Sequence, residues 1–293
     1  MSTEPANIKL QRTLDERCKG CFLKTYQRLF EKYHTKTVLR QDFIAFYGET
    51  IEKFKYHTSP EIQRELNHKF CKIVGISDPF LEEKTISNQI AMELYQEWKK
   101  KVFASANPFD LALRLAIAGN IMDYGANNNF NLEETIKLVV NSEFAIDHSQ
   151  ILHQRIRNAK RILYLGDNAG EIVFDKLFIE TIMHNDVVYA VKGSPVLNDV
   201  TMQDAKYTGM EIVSDIISNG YDAPSTVLSK CSKEFIKAFD TADLIISKGQ
   251  GNLEGLINQN DARIFFLLMV KCNVIAEVLN VEKGSFVVYN QTL

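Results

Sequence analysis

An α/β fold, a three-layer α/β/α sandwich with a mostly parallel sheet plus an all-helical amino-terminal domain, is what this 293-residue chain predicts, on three grounds. Up to about Asn158 apolar residues recur at helical spacing. Beyond it, short β-rich runs alternate with helical stretches, the pattern of parallel strands joined by crossover helices. Proline and capping residues fall at the breaks between segments. The expected division is a helical domain over residues 1–158 and an α/β/α domain over 159–293, with enough chain for real cores in both.

The helical half reads as Leu14 to Tyr33, Phe43 to Phe54, Pro60 to Ile73, Pro79 to Val102, Pro108 to Tyr124, Leu132 to Val140 and a segment leading to Ile156. Pro60, Pro79 and Pro108 suit a first helical turn, where a missing N–H costs nothing, and Ser59, Asp78 and Asn107 stand before them as caps. Strands are expected over Ile162 to Leu165, Val187 to Val191, Leu244 to Ser247, Ile264 to Val270 and Phe286 to Tyr289. Helices should follow from Ala169 to Phe178 and from near Val200 or Thr201, Pro195 barring an earlier start.

Composition narrows the function classes. The chain is 45% hydrophobic and 24% charged, as an ordinary soluble globular protein is. With 34 Lys and Arg against 37 Asp and Glu, the net charge is −3 and no basic run tracks a nucleic-acid backbone, so nucleic acid is not an expected partner. MSTEPANIKLQRTLDERC carries no apolar signal core, and no stretch approaches the roughly 20 apolar residues of a membrane span, so no membrane partner and a cytoplasmic location are expected. The oligomeric state is not legible.

Cys18, Cys21, Cys71, Cys231 and Cys272 are too few and scattered for a disulfide framework, and reduced thiols are expected. Cys18 and Cys21 form one C-x-x-C. It reads first as small buried hydrophobes on one helical turn, with a structural metal, to which Cys71 could add a third ligand, or redox chemistry as the other readings. His34, His57, His68, His148, His153 and His184 show no ligand spacing.

Polar residues gather instead at the ends of the strands. In ILYLGDNAGEIVFDKL, Asp167 and Asn168 stand where an apolar run gives way to a helix, the edge at which open α/β sheets collect ligands. Helix-start amides there favour an anion, which Asp167 would repel; a divalent metal bridging Asp167, Asn168 and a phosphate resolves the conflict. KGSPVLNDVTMQDA places Asp199 after the next strand as a further oxygen ligand. KGQGNLEG follows the strand after that: Lys248 supplies a countercharge, and Gln250, Gly251 and Asn252 lie in a glycine-rich loop whose amides can approach an oxyanion. In ALRLAIAGNIMDYG, Asn120 and Asp123 share a helical face and either enter the site or cap the helix, which should end near Gly125.

The ordered set CKGC, ALRLAIAGNIMDYG, GDNAGEIVFDKL, KGSPVLNDVTMQDA, ADLIISKGQGN and FFLLMVKC resembles the metal-dependent damage-control phosphatase family, whose domain was first associated with acidic-residue methyltransferase activity. The resemblance spans nearly the whole chain. It implies a divalent metal on Asp167, Asn168 and Asp199, and a phosphate side formed by Lys248 to Glu254 and by Lys271. Where the eukaryotic branch carries Arg-Thr-x-Lys, this chain has Leu268-Met269-Val270-Lys271, which places it nearer the stand-alone prokaryotic branch with amino-terminal cysteines.

The chemistry expected is hydrolysis of a small phosphomonoester, a sugar phosphate or related phosphometabolite, in metabolite damage control. Oxygen ligands suit Mg²⁺ or Mn²⁺ and also accommodate Co²⁺ or Ni²⁺. Lys248, Lys271 and backbone amides would stabilise charge on the phosphoryl oxygens, Asn120 and Asp123 would bind sugar hydroxyls, and Glu171 or Asp204 could orient the water. A dinucleotide oxidoreductase is disfavoured because the first strand leads into GDNAGE rather than G-x-G-x-x-G. A carboxyl methyltransferase of similar layered fold and a non-catalytic sugar-phosphate or metal-binding protein stay open as alternatives.

Overall fold

Asp15 starts the first helix by accepting the backbone N–H of Arg17 at 2.8 Å, as an N-cap does. The computed structural model describes residues 14–54, 58–119 and 132–293. Helices α1 (Glu16–Lys32), α2 (Thr37–Lys53) and α3 (Ser59–Val74) enclose an aromatic cluster of Tyr26, Phe30, Phe43 and Phe70, with Phe43 packed edge-on to Phe30 at 5.2 Å between centroids. The cap of α3 is Thr58, one residue before the expected Ser59, because Thr58 and Glu61 satisfy each other and the first-turn amides in a capping box. Helix α4 (Leu81–Ala104) starts instead after the expected Pro79, and Asp78 accepts the Phe80 N–H at 3.0 Å. Asn107 caps α5 (Pro108–Ala118) as its sequence suggests, accepting from Asp110 at 3.2 Å. Helix α6 (Leu132–Asn141) follows.

One strand and one helix then precede the boundary expected near Asn158: β1 (Phe144–Asp147) and α7 (Ser149–Asn158). Four residues alternating half-buried and exposed, Phe144-Ala145-Ile146-Asp147, are too short a period-two signal to stand out from the helical pattern before them. The remainder alternates as β2 (Ile162–Leu165), α8 (Glu171–Ile182), β3 (Val187–Val191), α9 (Met202–Thr208), β4 (Asp215–Ser218), α10 (Lys233–Thr241), β5 (Leu244–Lys248), α11 (Gly249–Leu256), β6 (Ile264–Met269), α12 (Asn273–Leu279) and β7 (Phe286–Tyr289). The expected Gly-rich loop after β5 is thus helix α11, and β4 is a strand the sequence reading lacks.

The seven strands lie in the order β1-β7-β6-β5-β2-β3-β4, parallel except that β7 runs against β6. Strands β2, β3, β5 and β7 are buried at every position, as strands covered on both faces are. On one face Tyr164, Ile246 and Leu267 meet α4, α5 and α8 through Trp98, Leu115 and Phe174. On the other Leu163, Ile245 and Phe266 meet α10, α11 and α12 through Phe235, Leu253 and Ile275. The chain runs from β2 outward to β3 and β4, then returns to lay β5 on the opposite side of β2. This reversal opens a crevice beyond the carboxyl ends of β2 and β5, where α/β sheets bind ligands.

Candidate active site

Two loops meet at that crevice. The stretch after β2 pairs with the stretch before α9: Ala169 N–H donates to Asn198 O at 2.9 Å, Val200 N–H to Asp167 O at 2.8 Å, and Asn168 and Asp199 form an antiparallel bridge. Residues 31 apart in the chain, Asn168 and Asp199, thereby become neighbours. Asp167, Asn168 and Asp199 are all buried. The Asn168 amide donates to Asp167 Oδ2 at 2.7 Å and Glu171 Oε2 at 3.2 Å. Burial first, then the negative charges of Glu171 and Asp199, push the Asp167 carboxyl well above the usual carboxylate range, while Lys271 and Lys192 pull it down.

Gly249 presses on this group from the β5 side. Its φ is +77°, and a Cβ there would overlap the Asp167 carboxylate, so only glycine lets α11 begin so close. Gly251 and Gly255 serve packing in the same way, since a Cβ would run into Pro224 O or Thr226 O. The glycines sequence reading gives to a phosphate loop therefore let a helix approach its neighbours.

The residues present fit a divalent cation. Two buried carboxylates crowded with a third, Glu171, are a poor arrangement without positive charge between them, and carboxylate and amide oxygens are hard donors. Among the described residues no group of three or more His, Cys, Asp or Glu side chains forms a ready cage. A set of two acids and an amide suits an ion that keeps positions for water and substrate oxygens.

The other expected site residues divide. Lys271 lies near enough to Asp167 to act on its carboxyl. Lys248 does not face a phosphate: it is fully buried, and its ammonium donates to Glu171 Oε1 at 2.5 Å, Asp175 Oδ1 at 2.6 Å and Ala116 O at 2.8 Å. Asn252 is fully buried too, its amide group donating to Gly166 O and Lys248 O and accepting from Lys192 and Thr226. It braces three loops rather than meeting substrate. Gln250 accepts the Lys271 backbone N–H at 3.1 Å and donates to Glu254 Oε1 at 3.1 Å. Asp204, considered for orienting water, accepts instead from Asn88, Thr201 and Lys84. Asn120 and Asp123 lie outside the described residues; Gly119, just before them, packs on Glu171 so closely that a Cβ would stand 2.9 Å from its Cα.

Lys192 is the site residue that the sequence reading lacks. It is buried, 3.4 Å from Asp199 Oδ2, with Asn252 Oδ1 at 3.2 Å. The available signal was its place at the exit of β3, directly before the turn that delivers Asp199.

The cysteines are all free thiols. Burial, with the nearby charges of Glu254 and Cys272, raises Cys18 to about 12 and raises Cys21 as well, which places Cys272 near the pair. Five histidines are occupied structurally or lie on the surface: His68 faces Asp222, His148 accepts from Asn290, His153 stacks on Phe109 and His184 contacts Ala159 O, while His34 ends α1.

Glu254 yields a pH prediction. Burial raises its carboxyl from an ordinary 4.5 to about 7, the Gln250 bond opposing. A raised carboxyl favours the fold while protonated, so its contribution is complete below 4.5 and is lost as pH climbs through about 7. Glu254→Gln is expected to raise Tm at pH 8 and leave it unchanged at pH 4. Thermal melts at both values check this; equal shifts would refute it.

Geometry of this kind belongs to α/β proteins that hold anionic substrates in a crevice beyond the strand ends. The chain matches the family described as damage-control phosphatase ARMT1-like domain over residues 14–287. A damage-control phosphatase of Pyrococcus horikoshii is 36% identical over 276 residues, covering 92% of this chain and 95% of that protein. A damage-control phosphatase of Archaeoglobus fulgidus is 31% identical over 229 residues, 76% of this chain and 79% of that protein. The crystal structure of a DUF89 family protein from Pyrococcus horikoshii superposes with a TM-score of 0.88 at 33% identity, covering 95% of this chain and 99% of that one. The chain belongs to the damage-control phosphatase ARMT1-like family, the one its ordered motifs resemble. Among the described residues no helix is long and apolar enough to cross a membrane.

Proposed function

We propose that this protein is a divalent-metal-dependent phosphatase that hydrolyses small phosphomonoesters, sugar phosphates or related phosphometabolites, in metabolite damage control. The carrying observation is the backbone pairing that sets buried Asp167 and Asp199 side by side, with lysines around them. Asp167, Asn168 and Asp199 would hold the ion, Mn²⁺, Mg²⁺, Co²⁺ or Ni²⁺. When bound, the ion supplies Lewis-acid polarisation of a phosphoryl oxygen and acidifies water. Lys271 and Lys192 would offset charge gathering on the phosphoryl oxygens, and α11 begins directly at the end of β5, where first-turn amides favour an anion. Glu171 is the better candidate to orient a water than Asp204, because it accepts from Asn168 and its charge acts directly on Asp167, whereas Asp204 is bonded to Asn88 and Thr201.

The test is turnover of a panel of phosphorylated metabolites by the purified protein, with each of the four metals and without. Metal-stimulated release of phosphate from sugar phosphates supports the reading; no release with any metal sinks it. Substrate choice would rest on Asn120 and Asp123, because the chain leaves α5 against Glu171 immediately before them. Asn120→Ala is expected to reorder the ranking among sugar phosphates while para-nitrophenyl phosphate is hydrolysed as before. Equal losses on both would remove Asn120 from the sugar subsite.

A further inference from the structure

Helix α4 belongs to the amino-terminal half, yet it places two polar side chains inside the α/β half. Lys84 and Asn88, one helical turn apart, are each only 2% exposed. Asn88 Oδ1 accepts the backbone N–H of Gly170 at 2.6 Å, and its Nδ2 donates to Asp204 Oδ1 at 3.0 Å. Gly170 closes the loop that carries Asp167 and Asn168, and it sits at φ +79°, a conformation other residues adopt only at a cost. Asp204 stands in the first turn of α9, where its other oxygen accepts from Thr201 N–H at 2.9 Å and Thr201 Oγ1 at 2.6 Å. It therefore anchors the end of the loop that carries Asp199. Lys84 pairs with the same Asp204 oxygen at 2.9 Å and with Asp78 at 3.2 Å, which fixes the carboxylate from the α4 side.

We infer that Asn88 is a positioning residue that spans the two ligand-bearing loops and sets the spacing of Asp167 and Asp199. The inference rests on the reading of those residues as a cation site. One carboxamide bonds both loops through its two ends, so neither loop can shift without breaking a buried hydrogen bond. Crowded carboxylates tend to spread apart, and a brace from α4 opposes that relaxation in the ion-free protein. A residue that acts through others in this way touches neither ion nor substrate, and it shows itself in ion affinity.

The experiment is calorimetric titration of Mn²⁺ and Mg²⁺ into the full-length, chelator-treated protein, with Tm measured on the same samples. Asn88→Ala is expected to weaken the Kd for both ions on the order of 10- to 100-fold, the usual effect of removing a group that orients metal ligands. Asn88→Gln keeps both hydrogen-bonding ends, and so the fold, but its added methylene displaces Gly170; an intermediate loss of affinity is expected. Ile62→Val, a mild truncation in the separate cluster under α1 to α3, controls for general destabilisation and should leave Kd unchanged. Wild-type affinity in both Asn88 variants would overturn the inference while leaving the cation site standing. Equal weakening by Ile62→Val would also overturn it. If the wild type binds neither ion, the site reading fails and this inference with it.

Discussion

If the proposed reading holds, Asp167→Ala is expected to reduce divalent-dependent phosphomonoester hydrolysis by on the order of 10³-fold or more, because it would remove both a proposed ion ligand and the charge that would fix the ion against Asp199. Stability should separate this role from a structural one. Asp167 is a buried carboxyl held against Glu171 and Asp199, so its removal relieves repulsion, and the ion-free variant should melt no lower than the ion-free wild type. An ion that binds only the folded protein stabilises it in proportion to the logarithm of its concentration over Kd. Added Mn²⁺ should therefore raise Tm in the wild type and leave Asp167→Ala unmoved. The same pattern is expected of Asp199→Ala, although there Lys192 loses its carboxylate partner and some stability goes with it. Metal-dependent turnover that survives in Asp167→Ala would remove this residue from the ion site.

Most of the sandwich was legible because its inner strands are short, mostly apolar runs set between helical stretches. Ile162-Leu163-Tyr164-Leu165 is followed at once by Gly-Asp-Asn, and that abrupt change marks both a strand end and a site. Edge strands lack this contrast. Asp215-Ile216-Ile217-Ser218 has two apolar residues and sits at one edge of the sheet, and Phe144–Asp147 alternates at the other. Side-chain direction was less legible still. Lys192-Gly193 and Lys248-Gly249 look alike in sequence, each a lysine and glycine at a strand exit. Lys192 lies beside Asp199, whereas Lys248 is drawn under α8 by Glu171 and Asp175, which stand one helical turn apart on that helix, and by Ala116 O from α5. Those partners come from distant segments, and strand periodicity carries no record of them. The bonds from Asn88 to Gly170 and Asp204 were hidden for the same reason: an asparagine in a mixed helical stretch looks like a surface residue until the opposite half is packed on it.

Lys248→Met is accordingly expected to act first on stability. The ammonium is fully enclosed and balances Glu171 and Asp175, while Tyr164 and Tyr189 donate to the two Asp175 oxygens at 2.7 and 2.9 Å. Burial raises the Asp175 carboxyl to about 6, with Lys248 opposing that effect. Methionine fills the lysine's volume but leaves two acids in a dry core, and breaking a buried pair in this way typically costs about 3–5 kcal/mol. Glu171 also loses the partner that fixes one of its oxygens beside Asn168, so the folded fraction should turn over more slowly than wild type. The triple variant Lys248→Met, Glu171→Gln, Asp175→Asn removes the charges together. It is expected to regain most of the lost stability in denaturant titration without regaining activity, since the neutral amide at position 171 no longer presents a carboxylate at the site. Had Lys248 faced the phosphate, Lys248→Met would instead lose rate with its unfolding midpoint unchanged, and that outcome would return the residue to the substrate-binding role its sequence context suggests.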